Sequence, residues 1–292
     1  MDPAYPLLVA MIVSLVLFQI NQRKGSPVLA IINRWLRWLV FAFGAAYVCR
    51  DFQLIERPFW ALVALFFLIW FLVETLYNWM AISALSLSPL PLFPRYTVNQ
   101  NGDEWPTHPS LLKVRTWLRN QNFKQVQALR AEIGGDIFLR VSVYQDVEAK
   151  LRIQIMFLPQ PGGVLATCYV VTSLTADGRR FVTDNLHIPF GGFYPEDWHL
   201  QRSPWRRSLP KLVAQHRARM QQQGGEPVPI PSEPLLDINT TQAELDRLNT
   251  ELGFLVPHAE REEQGKITHE GRYRVWKEIW MLDYLGRSAR YH

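Results

Sequence analysis

A polar and aromatic segment at residues 184–199 carries the side chains best suited to acid–base chemistry. Its members are Asp184, His187, Glu196, Asp197 and His199, grouped around the Gly191-Gly192 pair. A histidine beside a carboxylate can take up and release a proton near neutral pH, and loops often carry function. We therefore hypothesise a functional loop formed by Asp184, His187, Asp197 and His199. The alternative interpretation is an ordinary solvated connection.

A second chemical candidate is an acid inside an apolar stretch. Glu74 lies 16 residues after Pro58, and Arg34 lies 16 residues before Arg50. At 1.5 Å per residue both lie at a depth of about 24 Å. We predict an intramembrane ion pair of Glu74 with Arg34 or Arg37, because intramembrane ionisable residues are functional candidates. The alternative is a purely structural pair, with both arginines reaching the headgroups.

The last helical segment combines basic and aromatic residues. Between Lys266 and His292 there are six Lys/Arg and three acids, interleaved with two Trp and three Tyr. A basic, aromatic amphipathic helix can lie on an anionic leaflet. We predict a membrane-surface helix, or else a helix that packs on its own domain. The residues involved are Trp276, Trp280, Arg272, Arg274 and Lys277.

No metal or cofactor motif is recognisable in the sequence. His216 lies among leucines at helical spacing, which is typical of a core histidine with one hydrogen bond. The histidines form no HxxxH or HExxH pattern, and GxSxG, Walker A and GxGxxG motifs are absent. Two separate cysteines, Cys49 and Cys168, make neither a disulfide framework nor a zinc site. We predict no cofactor.

One short motif invites a family comparison. Residues 134–138 read Gly-Gly-Asp-Ile-Phe and resemble the GGDEF signature of diguanylate cyclases at four of five positions. The resemblance implies cyclase activity, but the second acid that this chemistry needs is Ile137 here. The upstream metal- and nucleotide-binding segment of that family would also fall in a proline-rich linker. A Gly-Gly hairpin turn is the favoured interpretation.

Three apolar stretches near the N-terminus must position the candidate ion pair. They cover residues 5–20, 27–49 and 58–85. Stretches of this length predict transmembrane helices, so we assign residues 1–85 to a three-helix membrane region. A cleaved signal peptide is the alternative for the first stretch, but Asp2 and the lack of an early Lys or Arg fit it poorly.

The charge distribution indicates topology rather than nucleic-acid binding. Up to Arg95 there are seven Lys/Arg and four Asp/Glu, which leaves 24 against 22 in the remainder. A nearly neutral soluble part argues against a nucleic-acid partner. The loop between the first two stretches is basic, so the positive-inside rule predicts an outside N-terminus and a cytoplasmic C-terminal domain.

The remaining chain divides at two proline-rich segments. We predict a linker at 86–109, a cytoplasmic α+β domain at 110–223, a Pro/Gly linker at 224–238 and a C-terminal helical segment at 239–292. In the domain, period-2 alternation predicts strands near 124–133, 139–144, 151–157, 164–172 and 180–186, as an antiparallel β-meander with flanking helices. Helices are predicted from Ser110, over 208–222, from a capping box at Thr241, and over 269–285.

This plan is similar to that of bacterial inner-membrane proteins with a cytoplasmic α+β domain. We predict a multi-pass membrane protein whose partners are the lipid bilayer and other membrane or cytoplasmic proteins. Its expected function is a membrane-tethered interaction or assembly domain, because the sheet edges could accept a strand. The alternative is a membrane-anchored enzyme that uses the loop at Asp184–His199.

Overall fold

The N-terminal region consists of three long helices in a row. The structure, a computed structural model, describes residues 4–134, 137–159 and 165–289. Helices α1 (Ala4–Lys24), α2 (Pro27–Asp51) and α3 (Phe59–Leu87) are each long and apolar enough to span a membrane. Helix α2 lies in the middle and packs against both α1 and α3. The three predicted apolar helices are therefore present, and each continues past the end of its apolar stretch.

Polar side chains inside this row bond to neighbouring helices. The Ser14 hydroxyl donates to Asn33 Oδ1 at 2.8 Å between α1 and α2. Between α2 and α3, Trp38 Nε1 donates to the Phe67 carbonyl oxygen at 3.0 Å. Hydrocarbon supplies no hydrogen-bond partners, so such bonds hold helices together where lipid surrounds them.

The soluble part is built on a mixed sheet of eight strands within the described residues. The strands are β1 (Tyr96–Val98), β2 (Lys124–Gly134), β3 (Ile137–Gln145), β4 (Arg152–Pro159), β5 (Leu165–Thr175), β6 (Arg180–Asp184), β7 (Trp198–Arg202) and β8 (Pro227–Val228). Strands β1 to β7 follow one another in space, and β8 pairs with β5. All pairs are antiparallel except β6 with β7.

The predicted meander is thus correct for β2 to β6 and incomplete at both ends. Strand β7 is parallel to β6 because the connection 185–197 crosses back to the start of β6 instead of forming a tight turn. The Thr175–Gly178 turn is present, with Gly178 at φ +85°. Most of the predicted Gly-Gly turn, at Gly135 and Asp136, lies outside the described residues, as does the predicted start of β5 at Val164.

Two predicted helix starts are wrong, and both errors involve proline. Helix α4 (Pro109–Asn120) is capped by His108, whose Nδ1 accepts from the Ser110 amide. Helix α6 (Pro234–Glu251) begins well before Thr241, so the capping box lies inside the helix. Proline is favoured in the first turn of a helix, where its missing N–H has no partner to lose. Helix α5 (Leu209–Gln222) and helix α8 (His269–Leu285) agree with prediction.

Helices cover both faces of the sheet. On one face α4 and α5 pack against alternate residues of the central strands, including Ile153, Ile155 and Val171. On the other face α6 places Ile238 against Val141 and Val143. Alternate residues of the strands therefore pack into two cores, one on each face, and the sheet is the middle of three layers.

Buried His216 belongs to the α5 side of the sheet. Its ring nitrogens lie 2.9 Å from Thr183 Oγ1 and 3.2 Å from Ser173 Oγ. Burial lowers its pKa to about 3, helped by the charges of Arg219 and Arg217. His216 is the predicted core histidine, with two hydrogen-bonded neighbours instead of one.

Candidate functional site

Helix α8 returns from the soluble domain to the transmembrane helices. Trp280 packs between Trp38 of α2 and Phe71 of α3, with ring centroids 5.7 Å and 5.1 Å away. Tyr284 stacks on Trp280 at 4.4 Å. Trp35 Nε1 donates to the Tyr284 carbonyl oxygen at 3.1 Å. These five residues form an aromatic cluster that fixes α8 on α2 and α3, and we call this region the junction.

A charge cluster adjoins the aromatic cluster. Asp283 forms an ion pair with Arg34 of α2 and lies 3.3 Å from His187 Nε2. Arg34 also lies over the Tyr284 ring, 5.4 Å from its centroid. Burial would raise the pKa of Asp283, but the His187 hydrogen bond and the Arg34 charge outweigh it and hold that pKa below its usual value. One carboxylate thus joins the membrane region to the domain.

The predicted pairing of Glu74 with Arg34 or Arg37 is not what the structure contains. Glu74 Oε2 accepts from Trp70 Nε1, one turn earlier, at 2.8 Å. Arg34 pairs with Asp283, and Arg37 is exposed. The depths of residues along α2 and α3 could not reveal that α8 brings an aspartate to Arg34.

The end of α3 is buried in the C-terminal part of the domain. Ser86 is 1% exposed, its hydroxyl accepts from the Ile267 amide at 3.0 Å, and its carbonyl accepts from the Lys266 amide. Lys266 Nζ also donates to the Ser88 and Leu90 carbonyl oxygens, and burial lowers its pKa. The predicted linker at 86–109 is therefore anchored at its start, and it contains β1.

The loop between α1 and α2 lies on the same side as the soluble domain. A Cβ atom at Gly25 would lie 3.1 Å from Arg207 Nη2, so the loop and the domain are in close contact. Gly25 has φ +52°, which favours glycine in this tight connection. The two therefore share one face of the membrane region, as an odd number of spans requires.

The predicted loop residues do not converge on one site. Asp184 ends β6 and pairs with Arg202, whose Nε lies 3.0 Å from Asp184 Oδ1. Burial raises the pKa of Asp184, and the Arg202 guanidinium opposes that rise. The His199 ring, on β7, stacks on Phe181 at 4.9 Å.

The other two members of the predicted loop point elsewhere. His187 reaches Asp283 at the junction. Asp197 is exposed, and its carbonyl oxygen accepts from the Arg180 amide at 2.9 Å. Asp184 and His199 lie on neighbouring strands, where alternation turns them to opposite faces of the sheet, and the residues between them belong to the connection.

The basic residues of α8 surround its aromatic stripe. Arg274 lies 3.8 Å from the Phe193 ring centroid and donates from Nε to the Gly191 carbonyl oxygen. Arg272 Nε donates to the Ile267 carbonyl oxygen at 3.2 Å, while Lys277 is exposed. Trp276 packs against the apolar cluster around Ile82 and Phe254. The stripe thus packs within the protein, and contact of α8 with lipid headgroups stays a prediction.

Sequence reasoning missed a buried charge cluster under α6. Asp237 accepts from Arg152 Nη1 at 2.7 Å and from Arg180 Nη2 at 2.6 Å. Arg152 is fully buried and also donates to the Ser232 carbonyl oxygen at 2.6 Å. The available signal was weak, namely an arginine at the start of an apolar strand and an aspartate in the first turn of a helix.

The described residues contain no group of three His, Cys, Asp or Glu side chains arranged to hold a metal ion. The junction is the candidate site because its aromatic and charged residues join α8 to α2 and α3, and these residues suit attachment and orientation. Comparison of the chain with protein-family models, with curated proteins and with solved structures gave no match.

Proposed function

We propose that this protein is a membrane-anchored assembly protein whose soluble domain binds a partner protein at the membrane. The supporting observation is the junction, where Trp280 and Asp283 of α8 engage Trp38 and Arg34 of α2. A domain that only needed a tether would require no second attachment. Packing α8 back onto the anchor holds the domain in one orientation relative to the bilayer, which favours binding a partner that is itself in the membrane.

The placement of the polar residues supports a binding role over the enzyme alternative. Asp184 bonds to Arg202, His187 faces Asp283, and the His199 ring lies on Phe181. Asp184, His187 and His199 are thus each engaged in a different structural contact. A general base must instead lie within reach of a common substrate position.

The basic residues that flank the loop between α1 and α2, such as Arg23 and Lys24, support a cytoplasmic location for the domain. That loop lies beside the domain, and positive loops favour the cytoplasmic side. We expect Glu56→Cys, in the turn between α2 and α3, to react with a membrane-impermeant maleimide in intact cells once Cys49 and Cys168 are replaced by alanine. Gly102→Cys in the same background should react only after the cells are opened. The reverse pattern would place the domain outside.

Quantitative co-purification from solubilised membranes tests the assembly role. We compare the native chain with Trp280→Ala, which removes the central ring of the junction, and with Tyr273→Ala as the control. Tyr273 is a 46% exposed aromatic residue on the same helix. We expect a partner at constant stoichiometry with the native and control chains, and its loss with Trp280→Ala.

The result depends on each variant keeping its fold, which circular dichroism of the purified chains would establish. Native mass spectrometry in detergent measures stoichiometry directly. A native chain that carries no protein partner under mild extraction would overturn the proposal. Retention of the partner by a folded Trp280→Ala chain would show that partner binding does not depend on the junction.

A further inference from the structure

A cavity of about 210 Å³ lies between the sheet and α6. Its floor is the α6-facing side of β4 to β7, with Val170 and Val182 at the centre, and its roof includes Ile238 and Leu245 of α6. The lining is mainly apolar. An engineered apolar cavity of about 150 Å³ accommodates benzene, so this cavity has room for a somewhat larger apolar group.

The Asp237 cluster next to this cavity has one more positive than negative group. Arg152 and Arg180 share one carboxylate, Asp237, while Arg202 and Asp184 form a matched pair on the other side. Within the Asp237 cluster, two guanidinium groups therefore face one carboxylate. Buried charges are normally paired because an uncompensated one loses its hydration, so the cluster with Asp237 retains one positive charge available to an anion.

Arg180 and Asp237 both line the cavity, whereas Arg152 does not, so Arg180 is the cation of this cluster that a ligand can reach. Its Nη1 and Nη2 both bond to Asp237, at 3.3 Å and 2.6 Å, and its side chain is 15% exposed. A guanidinium has five N–H donors, so Arg180 keeps donors for a second acceptor. Its guanidinium also lies over the Trp198 ring at 5.4 Å, which fixes its orientation at the cavity wall.

The cavity is also lined by residues that follow the membrane region in the chain. Leu92 and Phe93 line it and belong to the segment that leaves α3. Across from them, Phe190 contacts the Phe93 ring at 5.7 Å, and Ile188 is 45% exposed. A ligand could therefore enter from the bilayer surface or from the surrounding solution.

We propose that this cavity binds a small amphipathic carboxylate. The carboxylate accepts hydrogen bonds from Arg180 and neutralises the extra positive charge, and the apolar body lies between Val182 and Ile238. The ligand is either a fatty acid taken from the bilayer, whose chain leaves past Leu92, or a compact carboxylate from solution. This site is separate from the junction and does not depend on the assembly role.

Calorimetric titration of the full chain in nanodiscs tests the site, with empty nanodiscs as the blank. The probes are octanoate, phenylacetate and the uncharged octanol. We expect saturable binding of one carboxylate per chain and binding of octanol weaker by about tenfold or more, because octanol offers no charge to Arg180. Equal binding of octanol and octanoate would overturn the proposal.

Two arginine variants provide the matched comparison. Arg180→Met leaves Arg152 balanced by Asp237, so the fold should persist while carboxylate affinity falls by about tenfold or more. Arg179→Met removes the same charge from the neighbouring residue, which pairs with Asp177 outside the cavity, and should leave binding unchanged. Equal losses in the two variants would rule out a specific role for Arg180.

Filling the cavity tests the site without altering charge. Leu200 lines the cavity from β7, and Leu200→Trp should abolish binding of both carboxylates while Asp237 keeps both arginines. Normal binding by a folded Leu200→Trp chain would contradict the assignment. A fatty acid in organic extracts of the purified chain would identify the bilayer as the source, and tighter binding of phenylacetate than octanoate would identify solution.

Discussion

The junction and the interior under α6 use the same device in different surroundings. At the junction Asp283 lies between Arg34 and His187, and under α6 Asp237 lies between Arg152 and Arg180. The Asp283 side chain is 25% exposed, whereas Asp237 is 10% exposed and Arg152 is fully buried. Water can replace a lost partner at the junction but not beneath α6. The Asp283 contacts therefore mainly orient α8 at the junction, whereas the Asp237 contacts stabilise the packing of α6 on the sheet.

Replacing Asp237 by alanine should have the largest effect. The change leaves two guanidinium groups in the interior without a carboxylate, and breaking a buried pair in this way costs about 3–5 kcal/mol. We expect urea unfolding of the protein in nanodiscs, followed by near-UV circular dichroism, to shift to much lower concentration. Arg180→Met is the control, because it removes a charge from the same cluster and leaves one balanced pair. Equal destabilisation by the two variants would contradict this account.

Acidification should reveal a second property of the domain interior. His216 is neutral in the folded chain because its pKa is about 3, and it takes up a proton in the unfolded chain near its usual value of about 6.5. The unfolded state therefore binds more protons between these two values, and stability falls as pH drops below about 6.5. At pH 5 the expected loss from this group is about 2 kcal/mol.

Comparison of the native chain with His216→Gln isolates this contribution. Glutamine does not titrate and can still bond to Thr183 or Ser173. The free energy of unfolding should fall less between pH 7 and pH 5 in the variant than in the native chain. If both chains lose the same stability over this range, the pH dependence comes from other groups.

Asp283→Asn should have the smallest effect on stability. The partners of Asp283 are about one-quarter to two-fifths exposed, and ion pairs with that access to water contribute about 0–1 kcal/mol. Because the pKa of Asp283 is lowered in the folded chain, its contribution is present above the usual aspartate value of about 3.9 and disappears as pH falls below it. A thermal-unfolding difference between native and variant chains at pH 7 should vanish in stronger acid. A loss as large as that of Asp237→Ala would remove the distinction between the regions.

Local sequence patterns predicted most of the elements and few of their contacts. The apolar stretches predict α1 to α3, the alternation predicts β2 to β6, and the helical spacing predicts α5 and α8. Strand β7 was missed because its five residues alternate polar and apolar groups too briefly to stand out from a loop. The start of α6 is not predicted because the prolines around Pro234 resemble a linker, although proline suits the first turn of a helix.

Contacts at the candidate sites are even harder to predict from local sequence patterns. The predicted ion pair of Glu74 with Arg34 or Arg37 rests on matching depths, and depth is a property of each helix alone. The partner of Arg34 is Asp283, 249 residues away in sequence, and only the packing of α8 brings it there. Likewise, Asp184 and His199 are near each other in sequence but lie on neighbouring strands with different partners.

The sequence alone determined three long helices apolar enough to span a membrane and an α+β domain, because apolar helix length and strand alternation depend on local composition. Tertiary structure alone decided that α8 packs onto α2 and α3, that Asp283 and Asp237 each bridge two basic side chains, and that a cavity lies beside Arg180. Those features depend on side chains far apart in sequence whose positions are fixed only when helices and sheet pack together.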